Sequence, residues 1–281
     1  MAEDFTAVVG RELDRVGQDL GWSVFARNTS NSTMEDARKI VDGEGVEWQV
    51  ALSDSLPSFS ANTPFAVLAR EQSAGRGRTG RTWSSAADTG LYATFVIFPH
   101  DQSLLEGLSL IVGVAIRRAL QELGIGCGLK WPNDVVVVEE HGAFKKLAGV
   151  LIERFERSGG PVVSIGVGIN TKQYAALEEV GGTSIEQQGG EVSVAGLLCL
   201  VVRHLGEVLA ELAAGKRAEL LEQWQSSSIM NGLIVQRESD ERKWFVRGID
   251  DRGGLLVYSA DGENLKDTIY SGEVLVYAAR S

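Results

Sequence analysis

The chain has 281 residues, 44% of them hydrophobic and 23% charged, which is the balance of an ordinary globular protein and excludes a disordered one. Its net charge of −11 argues against a general nucleic-acid surface, which is normally basic, and its length accommodates one large domain plus a small one. The longest apolar stretch, from Leu108 to Ile116, is too short to span a bilayer.

From the N-terminus, Met1-Ala2-Glu3-Asp4 lacks the basic start of a signal peptide, so a cytoplasmic location is the expectation. Phe5, Val8, Val9, Leu13 and Val16 recur at helical spacing and predict an amphipathic helix over 5–19. Trp22 to Ala26 reads as a strand. Ser32, three residues before Glu35, reads as the N-cap of a helix carrying Met34, Ala37, Ile40 and Val41. Residues 43–64 hold Pro57, Pro64 and several serines and read as strand fragments plus a loop. Phe65 to Glu71 is a strand, Leu91 to Phe98 another, and Leu104 to Leu123 a long apolar helix. Val135 to Val138, Lys146 to Phe155 and Val162 to Gly168 are further strands. Residues 171–191, rich in Gly, Glu and Gln, read as a mobile loop, and 192–224 as one or two helices. Beyond residue 228 short apolar segments alternate with turns at Glu238-Ser239-Asp240, Asp250 to Gly254 and Asp261-Gly262. That spacing predicts a small β-barrel. Cys127 and Cys199 have no C-x-x-C pattern, and His100, His141 and His204 have no metal-ligand spacing. Both cysteines read as buried and reduced.

The chemistry gathers at Gly75-Arg76-Gly77-Arg78-Thr79-Gly80-Arg81-Thr82-Trp83. Glycines let a backbone approach a ligand closely, and arginines present fixed, planar donors to phosphate and carboxylate. Three arginines in six positions of an acidic chain point to an anionic ligand. The segment matches G-x-G-x-x-G and nearly matches a P-loop, but both motifs need a helix opening on the loop. Here Ser84 to Gly90 leads straight into a strand, and seven residues cannot make a crossover helix. A protein-kinase loop fails too, since no H-R-D or D-F-G follows.

Three further segments complete the pattern: Lys130-Trp131-Pro132-Asn133-Asp134, Lys146-Leu147-Ala148-Gly149-Val150-Leu151-Ile152-Glu153 and Gly166-Val167-Gly168-Ile169-Asn170. In this order and spacing they resemble the biotin protein ligase family, motif by motif from about Ser30 to Asn170, and more loosely at Ser271-Gly272-Glu273-Val274. The resemblance implies an α+β fold, with a mixed-sheet catalytic domain like that of biotin and lipoate ligases over 1–225 and an SH3-like barrel over 229–281. It implies that biotin and Mg-ATP form biotinyl-5′-AMP and pyrophosphate, and that a lysine of a biotin carboxyl carrier protein then takes the biotinyl group and releases AMP. No M-K-M acceptor motif occurs in the chain itself.

Residue by residue, the resemblance assigns Ser32, Thr33 and Gln72 to the ureido ring, and Met34, where some relatives have asparagine, to a backbone contact. Gly75, Gly77, Gly149 and Gly168 allow close approach to biotin. Arg76 and Arg78 close over the carboxylate and α-phosphate, Arg81 holds the outer phosphates, and Lys146 stands beside the reacting groups. Trp83, Lys130, Asn133 and Asn170 fall on the ATP side, with Trp83 as a wall and Asn170 as a partner of adenine. Asp134 either binds magnesium with the phosphates or orients and deprotonates the acceptor lysine, which is largely protonated at neutral pH when unperturbed. Residues 171–191 could order over adenine. About twenty residues precede the first strand, room for one helix, so no DNA binding and no membrane association are expected, and a monomer or weak homodimer. Lipoate ligases and octanoyl transferases share the fold but lack the arginine loop. A non-catalytic biotin sensor would not need Lys146 or Asp134, and a purely structural domain would need none of these motifs.

Overall fold

Alternation along the strands decides how the chain is layered. The computed structural model describes residues 4–16, 22–44, 50–51, 63–140, 142–157, 160–237, 241–261, 265–272 and 274–277. Helix α1 (Phe5–Val16) and strand β1 (Ser23–Ser30) lead to α2 (Thr33–Val41), β2 (Val50–Ala51), β3 (Phe65–Gln72) and β4 (Gly90–Ile97). Next come α3 (Leu108–Glu122), β5 (Gly128–Lys130), β6 (Asp134–Val138), β7 (Phe144–Arg157) and β8 (Gly160–Asn170). Helices α4 (Ala175–Glu179), α5 (Val194–Ala213) and α6 (Arg217–Ser227) follow. The eight strands form one sheet in the order β2-β1-β3-β4-β8-β7-β6-β5. It is mixed, because β1 and β3 run parallel while β3, β4, β8 and β7 pair antiparallel.

One face of this sheet carries Ala66, Leu68, Leu91, Phe95, Val163, Ile165 and Ile169, buried with α1, α3 and α5 in the major core. The opposite face carries Phe25, Phe65, Val67, Val96 and Val162 under Ala37, Ile40 and Val41 of α2. Each such side chain removed from water contributes about 1.5–3 kcal/mol. Since side chains alternate along a strand, Ser164, Gly166 and Gly168 continue the α2 face of β8. There the side chains shrink to almost nothing.

The C-terminal strands β9 (Ile234–Arg237), β10 (Lys243–Ile249), β11 (Leu255–Ser259), β12 (Lys266–Ile269) and β13 (Val274–Tyr277) make a second, antiparallel SH3-like sheet in the order β12-β11-β10-β9-β13. An Arg237–Asp267 ion pair joins the non-neighbouring β9 and β12, so the sheet curls on itself. It is fastened to the first sheet's helices and turns. Trp131 Nε1 donates to the Gly253 carbonyl at 3.1 Å, and Ile249 N donates to the Gln225 side chain at 2.9 Å.

Several expectations change. Ser32 does occupy the N-cap position of α2, but its hydroxyl makes no cap bond. Glu35 pairs with Lys39 at 2.6 Å instead of reaching back, so the capping box does not form. The helix expected from Leu104 starts at Leu108, after a 3₁₀ turn (Gln102–Leu105) and Gly107 at φ +67°. Residues 171–191, expected as a loop, carry regular structure. They hold α4, bury Thr183 and Ser184, and bond back through Thr183 N to the Lys146 carbonyl and Ile185 N to the Asn170 carbonyl. Apart from β2 and a few flanking residues, the 43–64 segment lies outside the described residues, as do 17–19 of the first helix. Among the described residues no helix is long and apolar enough to cross a membrane.

Cys199 is buried, but Cys127, expected to be so, is half-buried against the core. Burial still pushes the Cys127 thiol up to about 11, against a smaller opposing pull from Arg117, and raises that of Cys199 as well. At pH 8 Cys127 should therefore react with a thiol reagent about a hundredfold more slowly in the native protein than free cysteine does, and Cys199 more slowly as well. They should react at the ordinary rate after unfolding in urea. Rapid labelling of the folded chain would contradict this placement.

Candidate active site

The glycine face of β7 and β8, the start of α2, the arginine loop, the turn at 130–134 and Val274 enclose a narrow cleft of about 140 Å³. Its lining includes Ser32, Thr33, Met34, Gln72, Arg76, Gly77, Arg78, Arg81, Trp83, Lys130, Asn133, Asp134, Lys146, Gly149 and Gly168. The residues singled out from the sequence are thus brought together, with two exceptions, Gly75 and Asn170.

The arginine loop is a hairpin closed on itself. Gly77 N donates to the Arg81 carbonyl at 2.7 Å, Trp83 N to that of Gly75 at 2.9 Å, and Arg76 bridges Thr82. Its tip turns through Thr79 at φ 52° and Gly80 at φ 75°. Strand β4 follows, so no helix N-terminus points at the loop, as the chain spacing required. Gly75 serves the hairpin rather than a ligand: a methyl group there would sit 2.4 Å from the Trp83 carbonyl oxygen and 2.8 Å from Ser85 Oγ. The Arg76 guanidinium meets Glu153 at 3.2 Å. Arg78 donates to Asn133 Oδ1 at 3.3 Å and to the Gly272 carbonyl, in the turn before β13, at 3.2 Å.

Lys146 lies near the start of β7, beside β6. Its ammonium stands 2.6 Å from Asp134 Oδ1 and 5.1 Å from the centre of the Trp83 ring. The Asp134 contact is an ion pair without hydrogen-bond alignment, and Oδ1 is buried with no hydrogen-bond partner. Asn133 is fixed by an exchange with β7, Nδ2 donating to the Val150 carbonyl at 2.6 Å and Val150 N returning to the Asn133 carbonyl at 2.9 Å. Asn170 departs from its expected role. It is 2% exposed, and its amide donates to the carbonyls of Thr183, at 3.0 Å, and Lys146, at 3.3 Å. Those bonds staple the 171–191 segment to β7 and engage the hydrogens of the Asn170 amide.

At the other end, Gln72 Oε1 accepts from Thr33 N at 2.9 Å and Thr33 Oγ1 at 3.2 Å, while its Nε2 donates to Ser85 Oγ at 2.8 Å. Thr94 Oγ1 donates to Thr33 Oγ1 at 2.8 Å. Gln72 therefore holds the α2 start in place as well as lining the cleft. Ser32 Oγ and Trp83 Nε1 are buried without hydrogen-bond partners. Leaving such a group unmatched costs about 1–3 kcal/mol, a cost that a polar ligand in the cleft would remove. Among the described residues no three His, Cys, Asp or Glu side chains group as a metal cage.

Sequence reasoning missed Thr82, Leu151, Gly166 and Val274 as lining residues. Gly166 had a signal, the same strand parity as Gly168 in an otherwise bulky run. Val274 had only its place in the loosely matching Ser271-Gly272-Glu273-Val274 segment, since nothing local in a distant strand says that it reaches this cleft.

Comparison with known proteins places these features in context. The model of the biotin/lipoate A/B protein ligase family matches residues 43–170. The biotin–[acetyl-CoA-carboxylase] ligase of Paracoccus denitrificans is 32% identical over 218 residues, 71% of this chain and 86% of that protein. The bifunctional ligase/repressor BirA of Escherichia coli is 30% identical over 200 residues, 68% of this chain, and the match spans 61% of that relative's length. The biotin protein ligase of Aquifex aeolicus, solved in complex with biotin and ATP, superposes with a TM-score of 0.68 at 27% identity, covering 90% of this chain and 98% of that one.

A methyl group on Gly168 would come 2.4 Å from Trp83 Cε2, whereas one on Gly126 would meet nothing within 4 Å. Gly168→Ala should therefore cost about 1–3 kcal/mol in a urea titration and Gly126→Ala close to nothing. Equal midpoints for the two variants would show that the indole does not rest on β8.

Proposed function

We propose, because this chain belongs to the biotin protein ligase family, that its cleft activates biotin with ATP and passes it to a lysine of a biotin carboxyl carrier protein. The observation that carries the reading is that Arg76, Arg78, Arg81 and Lys146 line one cleft with Ser32 and Thr33, the Ser32 hydroxyl being buried without a hydrogen-bond partner. A neutral, hydrogen-bonding head and an anionic tail are what such a slot accepts. In the first half-reaction a biotin carboxylate oxygen attacks the α-phosphorus of ATP, and the bond to the pyrophosphate oxygen breaks. In the second, the carrier's amine attacks the acyl carbon, AMP leaves, and the amine loses a proton.

The first step brings anions together, so its barrier is electrostatic, and preorganised cations lower it. Lys146 would serve the carboxylate and α-phosphate, its stem and the Trp83 ring lying together on the bare backbone of Gly149 and Gly168. Arg76 and Arg78 would close on these groups from the loop, and Arg81 and Lys130, which line the same cleft, would meet the outer phosphates. Asp134 fits a magnesium ion that arrives with the nucleotide. Its carboxylate, whose Oδ1 now faces the Lys146 ammonium at 2.6 Å, would turn to the ion together with the phosphates, since Mg²⁺ is held by one or two carboxylates plus phosphates. Bound there, the ion would neutralise phosphate charge. Asn133, fixed to β7 on both sides, orients Arg78.

Purified protein with magnesium should catalyse ATP–pyrophosphate exchange with biotin, and not with lipoate, octanoate or no acid. Exchange with lipoate instead would move the chain to the sister activity, and biotin binding without exchange would make it a sensor. Lys146→Ala should lower exchange by about 10²–10³-fold while the protein stays folded. Arg78→Gly should loosen retention of the adenylate, read as biotin on lysines of unrelated proteins. Labelling that stays confined to the carrier would remove that role from Arg78.

A further inference from the structure

The α2 face of β8 can be followed residue by residue away from Lys146. Gly168 pairs with Gly149, and a methyl on Gly149 would lie 2.9 Å from both Lys146 Cε and Trp83 Cζ3. This is the charged end. Two residues further, Gly166 lies directly under Met34, whose Sδ would stand 2.9 Å from a methyl placed there. Two more residues bring Ser164, 1% exposed, with an Oγ that has no hydrogen-bond partner. Then Val162 joins the apolar cluster beneath α2. Met34 and Gly166 line the cleft and Ser164 does not. The thioether, 4% exposed, therefore stands between the slot and an unmatched hydroxyl.

We infer that Met34 is the end wall of the slot and sets the size of the head group the protein accepts, with Gly166 required because Met34 lies on it. The inference rests on the proposed biotin-activating function and adds the determinant of its selectivity. Cutting the side chain back to Cβ extends the slot by about one residue pair of β8, roughly 7 Å, and opens it to Ser164 Oγ. A head group carrying extra polar atoms then gains both room and a donor. Methionine is flexible enough to adapt to small differences, but it cannot vacate the space, so the wild-type wall excludes such acids by volume.

The test is ATP–pyrophosphate exchange with biotin and with biotin sulfone, which carries two more oxygens on the ring sulfur. In wild type, biotin is strongly preferred. Met34→Ala should raise the ratio of kcat/KM for sulfone over biotin by about tenfold or more, the scale of a pocket changed by one or two heavy atoms, and Met34→Val by less. Adding Ser164→Ala to Met34→Ala should take back part of that gain. Gly166→Ala should push the thioether into the slot and raise KM for biotin about tenfold with little change in kcat, and Met34→Ala in the same chain should reverse it. A sulfone-to-biotin ratio that does not move in either Met34 variant, or Gly166→Ala and Met34→Ala effects that merely add, overturns the inference while the function stands. A wild-type protein with no biotin-dependent exchange overturns the function and this inference with it.

Discussion

A sheet that buries both faces has no place for a ligand unless some of its side chains are missing, and here Gly149, Gly166 and Gly168 are the missing ones. Each would be filled in an ordinary strand. A glycine in a strand interior costs roughly 0.5–1 kcal/mol against alanine, and β8 recovers this on its other face, where Val163, Ile165 and Ile169 sink into the major core. Two large side chains then lie on the bare backbone. Trp83 rests over Gly168 and Gly149, and Met34 over Gly166. The floor, the wall at the charged end and the wall at the blind end all follow from that one departure from strand composition.

The second constraint is charge. Arginines and a lysine lining one cleft repel each other, and the structure sets oxygens against them: Glu153 against Arg76, Asn133 and the Gly272 carbonyl against Arg78, Asp134 against Lys146. The Arg76 and Glu153 side chains are both more than 40% exposed, and such a pair contributes at most about 1 kcal/mol. Partners that weak can be exchanged for a phosphate or carboxylate at small cost. On the proposed reaction, the resting pairs keep the cations ordered without holding them from the substrate.

Much of this was legible in the chain. The strand alternation that separates the two faces, the absence of a helix after the arginine loop, and the clustering of the loop with Lys130-Trp131-Pro132-Asn133-Asp134 and Lys146 are local or motif-borne, and the structure brings them together. What could not be read depends on distant partners. Ser32 looks like a cap until Glu35 is seen paired to Lys39. Asn170 looks like a ligand donor until the Thr183 and Lys146 carbonyls are found against its amide. The 171–191 segment looks mobile because its composition is polar, yet Thr183 and Ser184 are fully buried by backbone bonds to β7 and β8. The reach of the C-terminal sheet, through Gly272 and Val274, has no signature in the sequence of either sheet.

That reach bears on how the arginine loop moves. Gly77, Arg81 and Trp83 donate to carbonyls within the hairpin, and Gln72 N donates to the Ser85 carbonyl at its base, 3.1 Å away. Closing the guanidinium groups over an anion therefore needs no refolding of the loop. Arg76 must leave Glu153, and Arg78 must leave a carbonyl that belongs to the C-terminal sheet. The first exchange is confined to the main sheet. The second couples the two sheets, because the turn carrying Gly272 leads directly into Val274 at the cleft wall. Whatever shifts that turn shifts a resting partner of Arg78 and one side of the cleft together.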